Sequence, residues 1–106
     1  MTNRAIEDYN TGNLPDLVDI SCGQLRSELD NTDADAFAAG ARSDLDARGR
    51  GRVTGVSDVT VLQTFASAAV GVRYERHAAG LNDNNEALFS AVYEKIGDIW
   101  RICGLS

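Results

Sequence analysis

A chain of 106 residues fits one domain, large enough to bury a core yet small enough that a single covalent link weighs in its stability. Sixteen Asp and Glu against ten Lys and Arg give a formal charge of −6, which argues against nucleic acid or an anionic membrane surface as a partner for most of the molecule. No stretch is apolar for long enough to cross a bilayer, and MTNRAIEDYN lacks the apolar core of a signal peptide, so membrane attachment would come only through an anchor outside this sequence.

Along the chain, Ala5, Ile6 and Tyr9 stand at helical spacing between Arg4 and Tyr9, and Gly12-Asn13 follows as a stop signal. Pro15 suits a first helical turn, Asp16 complements the positive helix end, and Leu14, Leu17, Val18 and Ile20 supply an apolar side. This second short helix should end at Cys22-Gly23, with Leu25 and Leu29 prolonging it as an irregular turn. From Thr32 the pattern sharpens. Asp33 and Asp35 load a first turn, Phe37, Ala41 and Leu45 recur every four residues, and Gly49 closes the helix. The acidic cluster Asp30, Asp33 and Asp35 does not have the spacing of a calcium loop, and capping accounts for it, so no metal is expected there. RGRGR, Arg48 to Arg52, reads as a solvated linker with turn glycines rather than a phosphate site.

The period then changes to two. VTGVSDVTVL, Val53 to Leu62, is rich in β-branched residues, and its apolar phase switches between Val56 and Val59, which predicts a bulge near Ser57-Asp58. In FASAAVGVRYER, Phe65 to Arg76, one face carries Ala66, Ala68, Val70, Val72 and Tyr74 and the other Ser67, Gly71, Arg73 and Glu75. His77 to Asn85 is turn chemistry. Ala87, Phe89, Ala91 and Tyr93 alternate again, and a tight turn at Gly97-Asp98 leads into IWRIC. Three helices followed by four closely connected strands predict an α+β layout: N-terminal helices packed on one face of a curved four-stranded antiparallel meander.

That order resembles the cone-shaped nuclear transport factor 2-like fold. Within it, YNTGNLPDLVDISCG, ARSDLDARGRGRVTGVSDVTV, AAVGVRYERH and IWRICG resemble the small extracytoplasmic domains of actinobacterial, mycobacterial-type envelope proteins, which are often carried behind a membrane-spanning helix. The matching positions are Tyr9, Gly12-Asn13, Leu17, Cys22, Val70, Val72, Tyr74, Glu75, Trp100, Ile102 and Cys103. The resemblance implies a Cys22–Cys103 disulfide and hence a place outside the cytoplasmic membrane. The even cysteine count agrees, and a link closing some eighty residues is worth roughly 4 kcal/mol. Two inert buried thiols in a cytosolic protein are the alternative. Strict alternation puts Cys103 with Ile99 and Arg101, opposite Trp100 and Ile102, so the terminal strand needs a twist or bulge where such a link is made.

Enzymes of this fold work inside the cone. A dehydratase- or isomerase-like site there needs a carboxylate and a tyrosine converging on one substrate, and Asp58 with Tyr9 is the pair to nominate, although nothing in their spacing supports it. His77 is the sole histidine, so a histidine-based metal centre would lack a recognisable ligand set, and no Ser-His-Asp or Cys-His nucleophile can be assembled. No cofactor is expected. The preferred reading is a non-catalytic module that binds an envelope protein or a small apolar ligand, with Phe37, Val70, Val72, Phe89 and Trp100 lining the cone unless they simply fill it. Pairing of two copies through the sheet is a third expectation.

Overall fold

The computed structural model describes residues 1–106. Helix α1 (Thr2–Thr11) stops at Gly12, whose left-handed backbone (φ 68°) turns its N–H back to the Asp8 carbonyl. Asn13 then caps α2 (Leu14–Ile20) by accepting from the Asp16 N–H, with Pro15 in the first turn. Where the spacing suggested an irregular turn, the chain instead breaks at Ser21-Cys22 and starts a separate helix, α3 (Gly23–Asp30). The reason is tertiary. The Cys22 N–H donates to the Ile102 carbonyl at 2.9 Å, and Ser21 forms a parallel bridge to Ile102. This extended step redirects the chain, so that Leu25 and Leu29, one helical turn apart, can both be buried. Helix α4 (Ala34–Arg48) is capped by Asp33, whose carboxylate accepts from the Ala36 N–H at 3.0 Å, and closes at Gly49. A side chain at Gly49 would be strained (φ 80°), and its Cβ would meet Glu75 Cβ at 2.6 Å.

The helices precede one antiparallel sheet in sequential order: β1 (Arg52–Leu62), β2 (Phe65–Arg73), β3 (Glu86–Ile96) and β4 (Ile99–Leu105). The architecture is the expected α+β meander, with four helices rather than three. The pairing of β1 with β2 slips between Ser57 and Thr60, where Asp58 takes φ 53°, at the place where the apolar phase changes. A further irregularity lies in β4: Tyr93 faces Ile102 while Val92 faces Gly104, which leaves Cys103 as the extra residue. The bulge releases Cys103 from strict alternation, and it forms a disulfide with Cys22 across a Cα–Cα distance of 4.4 Å.

Two apolar clusters hold the layers together. Ala5, Leu17, Ile20, Leu25 and Leu29 close around Ile102 of β4, while Ile6 reaches Val70, Val72, Tyr74 and Ala91 on the sheet. Asn10 of α1 ties the helical layer to the start of β1: its buried amide donates to the Gly51 carbonyl and accepts from the Gly51 N–H, each at 2.8 Å. Asn10→Ala leaves both groups buried without partners, and we expect a loss of about 2–3 kcal/mol. That loss should appear as a lower urea midpoint at unchanged slope; an unaltered midpoint would show that other contacts hold this corner. No helix is long and apolar enough to cross a membrane.

Candidate functional site

A cavity of about 250 Å³ opens where α1 and the C-terminal half of α4 leave the sheet. Ile6 and Tyr9 enter from α1, Ala41, Leu45 and Arg48 from α4, and Tyr74, Phe89 and Leu105 from the sheet side. The helical contributions follow from spacing, since positions 41, 44, 45 and 48 share one face of α4. Seven of the eleven lining residues are hydrophobic, and the polar ones are unevenly engaged. Asn10 is committed to Gly51. Asp44, its side chain 65% exposed, stands 3.5 Å from Nη2 of Arg48. The Arg48 guanidinium lies over the Tyr74 ring, 4.1 Å from its centroid, and its Nε is buried with no acceptor. Burial pushes the hydroxyls of both Tyr9 and Tyr74 up from their ordinary value of 10, so both remain protonated donors at neutral pH.

Of the five residues expected to line the cone, Phe89 is in the cavity. Phe37 borders a neighbouring shallow depression, its ring 5.9 Å from that of Tyr9. Val70 and Val72 are wholly buried in the core beneath Ile6. Trp100, half-buried, pairs with Lys95 beside the Gly97-Asp98 turn, at the opposite end of β3 from Phe89. Tyr9 lines the cavity, whereas Asp58 is exposed at the β1 bulge and is not part of the lining. His77 lies exposed beyond β2. Sequence reasoning missed Arg48, whereas Asp44 and Tyr74, both within its reach as polar residues of the cone, do line the cavity. Arg48 was grouped with the arginines of the linker, although its spacing of three and seven residues from Leu45 and Ala41 already put it on the apolar face of α4.

A second ionisable group lies between α1 and α2. Asp8 is 5% exposed, and its Oδ2 has no donor. Burial, and then the hydrogen bond and charge of Asp16, raise its carboxyl to about 7. Asp16 is held down to about 2, chiefly by Arg4, whose Nε donates at 2.9 Å and whose Nη2 takes the other oxygen. Of these two neighbouring carboxyl groups the buried one takes up a proton first, and burial singles out Asp8.

The meander with helices on one face and a cavity between the layers is the nuclear transport factor 2-like cone. Two solved structures share it. One, a protein described as an NTF2-like transpeptidase from Campylobacter jejuni, superposes with a TM-score of 0.60 at 13% identity, covering 97% of this chain and 94% of that one. The other, a SEC-C motif containing protein from Rhodopseudomonas palustris, gives 0.57 at 14% identity, over 94% of this chain and 70% of that one. No family model matches the chain, and no curated protein does. At such identities the likeness establishes the fold alone.

Proposed function

We propose that this domain is a non-catalytic binding module of the bacterial cell envelope, working outside the cytoplasmic membrane and holding a small, largely apolar ligand in the cone. The cavity carries this reading: an apolar wall, two tyrosine donors and one arginine, with no serine or cysteine among the lining residues. Transpeptidation, the activity in the description of the Campylobacter protein, would need a nucleophile there, and both cysteines are committed to the disulfide. A dehydratase or isomerase would need a shielded carboxylate base. The carboxylate at hand, Asp44, is exposed and beside Arg48. The disulfide supports the compartment. Binding is tested by titrating small apolar probes such as hexanol and toluene into labelled protein and following amide shifts: movement confined to residues around Tyr74, Phe89 and Leu105 is expected, and a silent cavity would sink the reading. The compartment is tested by the mass of protein recovered from its natural host after alkylation. No label should be taken up without prior reduction, and free thiols would place the domain inside the cell.

A second reading, docking of another copy onto the sheet, draws on the exposed apolar side chains. Leu62 and Phe65 at one hairpin and Ile96 and Ile99 at the neighbouring one are all more than 45% exposed, and the strand pairing puts them at the same end of the sheet. The chain exposes 6337 Å², against about 5,800 Å² for a compact monomer of its mass. Sedimentation velocity at two concentrations should then show a dimer at the higher one; a monomer at both removes this reading.

A further inference from the structure

We propose that the cavity ligand is a short monocarboxylic acid, its carboxylate received by the Arg48 guanidinium and its apolar body by Ile6, Leu45, Phe89 and Leu105. The proposal deepens the cavity reading above and depends on it. Arg48 is held in place by stacking on Tyr74 and by one contact to Asp44 at 3.5 Å, which is too long for a good hydrogen bond. Its Nε is shielded from solvent and finds no acceptor, a costly state for a buried donor. The edge formed by Nε and Nη2 is the planar fork that takes a carboxylate with two parallel hydrogen bonds. A small rotation of the guanidinium toward the cavity, which Arg48 already lines, would give both donors a partner.

The rest of the site favours the same chemistry. Tyr9 and Tyr74 line the cavity as neutral phenols, which burial moves still further from ionisation, so neither adds an anion that would oppose a bound carboxylate. Asp44 beside Arg48 weakens this attraction and opposes a second carboxylate outright, which holds the ligand to one. The volume bounds the size. At about 30 Å³ for each water-sized group, a cavity of about 250 Å³ takes roughly eight non-hydrogen atoms, the size of hexanoate. The apolar majority of the lining leaves a tail of that length dry.

The test compares hexanoate with hexanol by heteronuclear titration of the whole chain, reading backbone amides and the side-chain Nε–H of Arg48. Hexanoate is expected to bind at least tenfold tighter than hexanol and to move the Arg48 Nε–H resonance downfield as it gains an acceptor. In Arg48→Gln the ratio of hexanoate to hexanol affinity should fall to about one, and in Arg48→Lys, which keeps the charge but loses the fork, the ratio should fall between. The Arg48 resonance in the unaltered protein decides the matter even if a variant folds poorly. Equal binding of the two probes with an unmoved Arg48 signal overturns the carboxylate assignment and leaves the cavity reading intact. Binding of neither probe overturns both.

Discussion

Reducing the Cys22–Cys103 bond, or replacing both cysteines by serine, is expected to lower the melting temperature by on the order of 15–30 °C. The bond spans 81 residues of sequence, and closing a loop of that size in the unfolded chain is worth about 4 kcal/mol, each kcal/mol of which shifts a domain of this size by roughly 4–8 °C. The native geometry adds to the case. Cys22 begins α3 and already donates its N–H to the backbone of β4, so the staple joins segments that the fold brings together anyway. Thermal melts followed by circular dichroism with and without reductant provide the measurement. A drop of only a few degrees would mean that the core around Ile102 holds β4 without covalent help.

The second large effect concerns pH. Over the interval between its ordinary value of 3.8 and about 7, folded Asp8 keeps a proton that the unfolded chain has lost. Its contribution to stability is therefore complete at low pH and declines as pH rises from about 4 to about 7. Asp16 works in the other sense: held down to about 2, it stabilises the fold above its ordinary value, and that contribution disappears as pH falls from about 4 to about 2. Together the two groups favour a maximum near pH 4. Asp8→Asn keeps the shape of the side chain and removes the buried charge. The variant should match the parent near pH 4 and exceed it at pH 8 by several degrees or more in melting temperature. If the gap between the two proteins is the same at both pH values, Asp8 does not hold the proton assigned to it.

How much of this was legible beforehand depends on how local the cause is. The β1 bulge was readable because the alternation of Val53, Val56, Val59 and Val61 breaks phase within the strand itself. The inward face of β2, from Ala66 to Tyr74, was readable for the same reason, and its central members Ala68, Val70 and Val72 are buried. The separate helix α3 was not, because what ends α2 is a backbone hydrogen bond to Ile102, some eighty residues away. The position of each candidate within the cone was not readable: alternation names the face of a strand but not the height along it, so that Phe89 reaches the cavity, Val70 and Val72 fill the core under the helices and Trp100 stands at the far hairpin. Arg48 and Tyr74, which meet only in three dimensions, left no joint signal in the sequence. Asp8 gave none either, since an aspartate on an amphipathic helix reads as solvent-facing until the neighbouring helix covers it.

The seam between Ile102 and the first three helices also governs when this protein can fold. Ala5, Leu17 and Ile20 have no buried partner from the sheet in their cluster except a residue made near the close of synthesis of this segment. The helices that emerge first therefore wait as a loose, mostly unsupported group, because short helices without a packed face are marginal on their own, and the long-range contact that completes them is slow to form. Cys22 and Cys103 meet only once that late contact is made, so the covalent link is the closing event that locks the last strand in place.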